Sequence, residues 1–326
     1  YDRWEFLVAG PPLEQVGIAN GLASPGDVVV SPSAKECIGD GIAAEALADG
    51  AFRVTGPFAS SAPAANDLDV LPVAAATLRR YIPGAIRTRL DANQTDWLGE
   101  QRRLSVIFMN LPTFNADTPV ADADRAMKAL QMALYRFEGS INKISVDDKG
   151  ASLIAVLGLP PLGHVDDPER AVRAATAMRQ GLTAAGHECA IGITTGLAFC
   201  GSIGNARRRE YTVMGNIVNL AARLMQAAKA PGHGGLLCDE PTWTAAHRRL
   251  DFETLPPIQV KGRAAAVAIF RPVETEESDA STHKADADVP VPPIGRDAEM
   301  AMLSARLQSV KNGGKGGCVL IKAERG

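Results

Sequence analysis

Residues 210–223 read E-Y-T-V-M-G-N-I-V-N-L-A-A-R and decide the fold of the region around them. The first five residues have the alternation of a β-strand, Gly215 supplies a turn, and the rest has the apolar spacing of a helix. Asn219 and Arg223 are four residues apart, so the helix places an amide and a guanidinium on one face. A guanidinium in a fixed position suits the charge that develops on a phosphate. The stretch therefore predicts a strand–turn–helix unit with a phosphate-directed side.

The surrounding sequence predicts a domain at residues 101–273, in which short apolar strands alternate with amphipathic helices. Pro168 suits the first turn of one of these helices. The mixed order is typical of an α+β sandwich with helices against a largely antiparallel sheet. The expected strands are 104–109, 141–146, 152–157, 190–195, 197–203 and 210–214, and the expected helices are 122–138 and 168–185.

The beginning of the chain repeats part of this domain in degenerate form. Residues 6–10 read F-L-V-A-G and residues 211–215 read Y-T-V-M-G, at an offset of 205 residues. Each is followed by an alanine-containing helical stretch, a Pro-Gly turn and a short apolar strand, which indicates an internal repeat. We therefore expect residues 1–56 to be the C-terminal remnant of a first domain copy, and the chain to be an internal fragment.

Three further segments complete the expected organisation. Residues 57–100 are rich in alanine and proline and are predicted to form a connector. Residues 274–292 are rich in Glu, Asp, Ser and Pro, which is typical of a flexible linker. Residues 293–326 predict a helix and then an apolar strand that enters a glycine-bearing loop, as at the start of a phosphate-binding loop.

The composition excludes some classes of partner. The chain has 326 residues, 46% of them hydrophobic and 22% charged, which allows about two globular domains. A net charge of −3 gives no electrostatic reason to expect nucleic acid or an acidic membrane surface as partner. Five scattered cysteines without a C-x-x-C motif favour a reducing compartment. We predict a cytoplasmic chain without a membrane span.

Five motifs follow in order along residues 104–271: I-N-K at 141–143, D-D-P-E-R-A at 166–171, G-I-T-T-G at 192–196, Y-T-V-M-G at 211–215 and V-N-L-A-A-R at 218–223. Together they resemble the catalytic domain of class III nucleotidyl cyclases, which implies a ferredoxin-like core. The run I-N-K-I-S-V-D-D-K-G is similar to the second catalytic half of soluble adenylyl cyclases. The beginning of the chain resembles the end of the partner half, and residues 293–326 resemble the start of the α/β P-loop ATPase module that often follows.

The resemblance implies that a 3′,5′-cyclic nucleotide and pyrophosphate form at a site shared by two halves. In this family two Mg²⁺ or Mn²⁺ ions, held by two aspartates, activate the ribose 3′-oxygen and offset the phosphate charge. Asn219 matches the asparagine that orients the ribose, and Arg223 matches the arginine that stabilises charge on the α-phosphate. Lys261 or Arg263 falls near the lysine that contacts the triphosphate.

The base-contacting positions of the family favour ATP as the substrate. Lys143 matches the lysine that donates to adenine N1, and Thr212 matches the residue that accepts from the adenine amino group, with Val213 adding backbone contacts. Adenine presents an acceptor at N1 and a donor at N6, which suits a donor-only lysine and a hydroxyl. Guanine presents a donor and an acceptor in the reverse order, so a lysine opposite its N1 would leave polar groups unpaired. Unpaired polar groups of this kind discriminate strongly between substrates.

The sequence departs from the family at both metal positions. Asn110 and Ala151 stand where the two aspartates are expected, and Asp147 and Asp148 precede the second position. We therefore expect the metal ligands to come from the missing first half of the same chain, in a pseudo-heterodimer that binds ATP. The chain alone is expected to be nearly inactive, because self-pairing supplies two arginines and no metal aspartates.

The first copy lacks the complementary groups. At the offset of the repeat, Glu14 and Ile18 occupy the positions of Asn219 and Arg223. The expected function is therefore one half of an adenylate cyclase in intracellular signalling. Two alternatives remain open: a non-catalytic module that senses nucleotides and regulates the downstream ATPase, and a guanylate cyclase.

Overall fold

The computed structural model describes residues 3–57, 74–91, 99–147, 149–160, 162–205, 209–260, 265–273, 297–314 and 319. Its contacts divide the chain into one unit at Tyr1–Glu277 and another at Ser278–Gly326. In the described part of the chain, no helix is both long enough and apolar enough to cross a membrane.

Nine helices and eleven strands lie in the described residues. The helices are α1 (Pro11–Leu22), α2 (Pro32–Ile38), α3 (Ala75–Arg79), α4 (Gly84–Asp91), α5 (Val120–Tyr135), α6 (Asp167–Ala184), α7 (Asn216–Ala228), α8 (Glu240–Ala246) and α9 (Asp297–Lys311). The strands are β1 (Val29–Val30), β2 (Ala44–Ala46), β3 (Phe52–Val54), β4 (Glu100–Leu111), β5 (Ser140–Asp147), β6 (Gly150–Leu157), β7 (Ala190–Gly204), β8 (Arg209–Met214), β9 (Leu236–Asp239), β10 (Phe252–Ile258) and β11 (Val267–Pro272).

A large sheet forms the frame of the domain. Its strand order is β10-β11-β9-β7-β4-β6-β5, and β8 pairs with the far end of β7. All neighbours are antiparallel except β7 and β9. The domain is therefore α+β, with a mixed, largely antiparallel sheet as the sequence predicts.

Helices cover both faces of this sheet. Helices α5 and α6 pack on one face through Leu130, Leu134 and Met178, against inward residues of β4 such as Ile107. Helix α7 packs on the opposite face through residues such as Leu224. The β7–β8 hairpin adds a third cluster, which includes Leu104, Val156 and Val213. Leu104 and Ile107 are three residues apart on β4, so their side chains point to opposite faces of the sheet. Since Ile107 faces α5 and α6, the third cluster lies on the α7 side.

Two glycines of the G-I-T-T-G motif allow α7 to approach β7 closely. A Cβ atom added to Gly192 would lie 2.1 Å from the carbonyl oxygen of Ala221, and one added to Gly196 would lie 2.8 Å from Ile217 Cγ2. Between the two glycines, Thr194 Oγ1 donates to the carbonyl oxygen of Ile217 at 2.8 Å. The motif thus fixes the position of α7 on the sheet.

The first copy of the repeat folds through the same succession of elements as the second. Helix α1, strand β1, helix α2 and strands β2 and β3 correspond in order to α7, β9, α8, β10 and β11. The small sheet has the order β1-β3-β2, which matches β9-β11-β10, and both are antiparallel throughout. In both copies a side-chain oxygen caps the second helix: Ser31 accepts from Ala34 N, and Asp239 accepts from Thr242 N.

Two expectations about strands are wrong. Residues 190–203 form the single strand β7 rather than two strands separated at Gly196, because that glycine accommodates α7 and makes no turn. Residues 6–9, expected to resemble the strand at 211–214, have no strand pairing within the described residues. Helix α9 appears where the sequence predicts a helix, whereas the strand and glycine loop expected after it lie almost wholly outside the described residues. Most of the connector and the whole linker at 274–292 also lie outside them.

Candidate active site

Helix α7 presents Asn219 and Arg223 on its exposed side. The helix buries an apolar stripe at Leu220, Leu224 and Ala228, which is the spacing of one helical face. Asn219 and Arg223 lie outside that stripe, and both are exposed. Within the described residues, no carboxylate or carbonyl pairs with the Arg223 guanidinium. The helix therefore holds an amide and a free guanidinium side by side, as its sequence predicts.

Strand β8 leads directly into α7 and carries Thr212 and Val213. Val213 is buried in the cluster beneath the hairpin, whereas Thr212 is half-buried and alternates to the other side of the strand. Thr212 lies opposite Gly201 of β7, where there is no side chain to cover its hydroxyl from the partner strand. The Thr212 hydroxyl is therefore placed to accept or donate a hydrogen bond.

Lys143 is exposed on β5, one residue after the point where that strand approaches β8. Asn142 Nδ2 donates to the carbonyl oxygen of Tyr211 at 3.3 Å, which joins the two strands next to Lys143 and Thr212. The register with β6 is irregular between Ile141 and Lys143, so a β-bulge lies at this point. The sequence motif identifies Lys143 but gives no signal of the bulge, because a bulge is defined only against its partner strand.

The two positions at which the sequence leads us to expect metal ligands lie side by side but do not suit a divalent cation. Asn110 is 1% exposed, and its Nδ2 donates to the carbonyl oxygens of Lys149 and Ala151, each at 3.1 Å. Its Oδ1 is buried without a partner in the described part of the structure. An amide and a methyl group offer none of the carboxylate oxygens that Mg²⁺ prefers. The nearby Asp147 accepts from its own turn at Lys149 N.

The described part of the chain offers no other cluster of metal-binding side chains. Within the described residues, no group of three or more His, Cys, Asp or Glu side chains could hold a metal ion. Asp148, the second acidic candidate, lies outside the described residues, as do Lys261 and Arg263 at the expected triphosphate position.

A buried polar chain supports the strand on which α7 rests. Asp239 accepts from Thr242 Oγ1 at 2.6 Å, and Thr242 Oγ1 lies 2.9 Å from Thr195 Oγ1, which in turn lies 2.9 Å from Ser105 Oγ. Burial raises the pKa of Asp239 to about 6, although hydrogen bonds from Thr242 and Thr195 oppose this shift. This series of buried hydrogen bonds joins β9, α8, β7 and β4 on the α5–α6 side of the sheet.

A second buried network joins the beginning of the chain to α5. The Arg3 guanidinium contacts the Glu5 carboxylate through two hydrogen bonds of 3.0 and 3.1 Å, and Gln131 Nε2 donates to the carbonyl oxygen of Arg3. Burial raises the pKa of Glu5, which Arg3 partly offsets, and burial together with Glu5 raises the pKa of Tyr135 to about 12. The beginning of the chain is thus anchored on helix α5 by buried polar and charged groups.

A family model described as "Adenylate and Guanylate cyclase catalytic domain" matches residues 99–270, just over half of the chain. The chain belongs to this family. Members of this family generally use divalent metal ions. The two exposed groups of α7 lie within the matched region.

Named relatives and solved structures agree with this membership. Human adenylate cyclase type 10 is 27% identical over 306 residues, which cover 82% of this chain and 18% of the relative. The mouse protein of the same name is 28% identical over 296 residues, which cover 79% of this chain and 18% of the relative. This chain therefore spans about a fifth of the length of these curated relatives.

Two solved structures show the same fold. The adenylyl cyclase CyaB from P. aeruginosa superposes with a TM-score of 0.50 at 23% identity, covering 55% of this chain and 98% of that structure. A bacterial light-regulated adenylyl cyclase superposes with a TM-score of 0.52 at 15% identity, covering 62% of each chain. At these identities the likeness supports the α+β cyclase fold alone.

Proposed function

We propose that residues 101–273 form the substrate-recognising half of an adenylate cyclase, which converts ATP to 3′,5′-cyclic AMP and pyrophosphate in intracellular signalling. The observation that carries the proposal is the exposed pair on α7, Asn219 with Arg223, whose guanidinium has no partner among the described residues. Lys143 lies on a strand that is hydrogen-bonded to the strand of Thr212. The similarity to adenylate cyclase type 10 supports ATP as the substrate.

Each side chain has a role that follows from its chemistry. The donor-only ammonium of Lys143 suits adenine N1, and the Thr212 hydroxyl accepts from the adenine amino group while the Val213 backbone adds contacts. The Asn219 amide orients the ribose. Arg223 stabilises charge that develops on the α-phosphate, because a guanidinium offers a planar set of donors in a fixed direction.

The proposed function also includes a triphosphate contact, at residues outside the described part of the chain, and an assignment of residues 1–56 that follows from the repeat. Arg263, or Lys261, contacts the triphosphate. Residues 1–56 are the C-terminal part of a degenerate first half, which the shared element order and strand order support.

The metal-binding aspartates come from another cyclase half. Asn110 and Ala151 do not fit Mg²⁺ or Mn²⁺, whereas Lys143, Thr212, Asn219 and Arg223 are all present. The aspartates of the other half and the substrate-binding residues of this domain are complementary, so one competent site forms for each pair of halves. No step of the reaction is assigned to a metal on this domain.

The test is cyclic AMP formation by the chain alone and by the chain mixed with a cyclase half that carries both aspartates. Each assay contains ATP with Mg²⁺ or Mn²⁺, and product is quantified by chromatography. We expect almost no product from either component alone and a clear gain from the mixture. A mixture that exceeds the sum of its components only with GTP would instead support a guanylate cyclase.

A second function is favoured by one observation at the metal positions. The Asn110 amide donates to two backbone carbonyls, so it stabilises the hairpin where a catalytic member would bind a cation. A non-catalytic domain that senses ATP would tolerate this arrangement. This second function predicts that the chain binds ATP and that no mixture with another cyclase half forms a cyclic product.

A further inference from the structure

The strand that carries Lys143 changes its facing at one residue. Ser140 pairs with Val156 and Ile141 pairs with Ala155, so regular pairing would place Asn142 against Ile154 and Lys143 against Leu153. The observed partner of Lys143 is Ile154 instead. Asn142 is therefore the extra residue of a β-bulge, in which two residues of one strand oppose one residue of the other.

This one-residue shift decides whether Lys143 faces the core. Leu153 is fully buried in the cluster beneath α5 and α6, whereas Ile154 packs with Tyr211 and Val213 on the opposite side of the sheet. Directly paired residues share a face, and a slip of one residue turns a side chain to the other face. Without the bulge, the Lys143 ammonium would point at the buried cluster of Leu153. With it, Lys143 lies on the side of the sheet where β8 is placed.

The Asn142 side chain also fixes β8 at the same point. Its Nδ2 donates to the carbonyl oxygen of Tyr211 at 3.3 Å, and Tyr211 immediately precedes Thr212. The atoms joined by this bond belong to the residues adjacent to Lys143 and Thr212 in the chain. The Asn142 amide therefore links the two strands directly beside Lys143 and Thr212.

We propose that Asn142 is a positioning residue for base selection: through the bulge and its hydrogen bond to Tyr211, it holds Lys143 and Thr212 at the separation that adenine requires. The inference rests on the proposed function, because it assumes that these two residues contact the base. Asn142 itself makes no contact with the nucleotide. Losing its hydrogen bond allows β5 and β8 to separate, and the two base contacts then no longer fit one edge of adenine.

The test measures equilibrium binding of ATP and of GTP, each with Mg²⁺, to the 326-residue chain by titration calorimetry. Asn142→Ala removes the amide, and Asn142→Asp keeps the shape but replaces the donor with a second acceptor facing the Tyr211 carbonyl. We expect each variant to weaken ATP binding about 5-fold, the scale of one lost hydrogen bond, with little change for GTP. Asn142→Gln keeps the donor and is expected to recover part of the preference for ATP.

Two controls separate positioning from general loosening of the fold. Asn312→Asp adds the same charge at an exposed residue in the turn directly after α9 and should leave both affinities unchanged. Adding Asn142→Ala to Lys143→Ala should reduce the preference for ATP no further, because coupled residues are not additive. Circular-dichroism melting of every variant reports whether the fold is retained.

The outcomes distinguish this inference from the proposed function. Equal weakening of ATP and GTP, or an ATP preference that survives in Asn142→Ala, overturns the role of Asn142 alone. A wild-type chain that binds ATP no better than GTP overturns the adenine contacts of Lys143 and Thr212, and the role of Asn142 with them. A loss confined to ATP and absent in the Lys143→Ala background supports the inference.

Discussion

The two copies of the repeat share their order of elements but differ in what their first helix presents. Helix α7 carries Asn219 and Arg223 on its exposed side, whereas α1 carries Glu14 and Ile18 at the same offset. Ile18 is 42% exposed, so an apolar group faces outward where the second copy has a guanidinium. The comparison indicates that the two copies share the pattern that builds the fold and differ in the side chains that their first helix exposes.

The retained features are those that set backbone geometry. Both copies begin their first helix after a glycine and cap their second, seven-residue helix with a side-chain oxygen, from Ser31 in one and Asp239 in the other. Caps satisfy backbone N–H groups that would otherwise lack partners. Such features are needed whichever ligand is bound, which explains why they survive divergence.

The largest expected effect is the loss of Arg223. In the mixture of this chain with a metal-bearing cyclase half, Arg223→Ala should lower the turnover of ATP about 10²- to 10³-fold, the scale of removing one preorganised transition-state donor. Steady-state rates of cyclic AMP formation measure this effect. Ile18→Ala, at the matching place in α1, is the control and should change the rate little. Comparable losses in the two variants would remove the functional contrast between the copies.

The next largest effect is expected from a substitution that pushes helix α7 away from strand β7. Gly192→Ala places a Cβ atom 2.1 Å from the Ala221 carbonyl oxygen and 2.5 Å from Met225 N, both of them backbone atoms. We expect a loss of about 3 kcal/mol in the free energy of unfolding, because helix α7 must shift as a whole. Urea denaturation measures it.

A helical glycine with open space around it, Gly21 in the first copy, serves as control. Gly21 lies in α1 with nothing within 4 Å of an added Cβ atom. Gly21→Ala is expected to be neutral or to stabilise by up to about 1 kcal/mol, since alanine favours a helix. A small effect of Gly192→Ala would show that α7 is not fixed by this contact.

The helix and its two polar groups could be predicted from the sequence because their signals are local. Residues 218–223 have helical spacing, and Asn219 and Arg223 share a face by that spacing alone. The mixed sheet with helices on it also follows from the order of apolar segments. These predictions need no knowledge of which strand pairs with which.

The features that could not be predicted depend on a distant partner. Gly196 has the local character of a strand breaker, but β7 continues through it because α7 needs the space. The bulge at Asn142 exists only relative to β6, so nothing in the motif I-N-K indicates it. Likewise, the sequence around Asn110 does not indicate that its Oδ1 is buried without a partner among the described residues, because burial there depends on the pairing of β4 with β6.

The buried cap of the second copy should make its stability depend on pH. Burial raises the pKa of Asp239 in the folded state to about 6, above the ordinary value of 3.8. The folded state therefore holds this proton more tightly than the unfolded state. Its contribution to stability is full below about pH 4, is lost as the pH rises through about 6, and amounts to about 3 kcal/mol.

Asp239→Asn tests this dependence, because the amide oxygen keeps the cap but cannot titrate. The free energy of unfolding is measured by urea denaturation from pH 4 to pH 8 for both proteins. Taking the difference between them cancels the contributions of Glu5 and Asp167, whose pKa values are also raised by burial. A difference that stays flat across this range would contradict the raised pKa.

The smallest expected effect is the loss of the cap in the first copy. Ser31 Oγ accepts from Ala34 N at 3.3 Å in a partly buried position, and its hydroxyl does not titrate. Ser31→Ala should therefore cost about 1 kcal/mol, independent of pH between 4 and 8. Hydrogen exchange at the Ala34 amide reports the loss locally, and Ser31→Asp should restore protection because a carboxylate also suits a helix N-terminus. If exchange at Ala34 is unchanged in Ser31→Ala, the cap contributes nothing to the first copy, and the retained geometry must instead rest on the Gly10 turn and the pairing of β1 with β3.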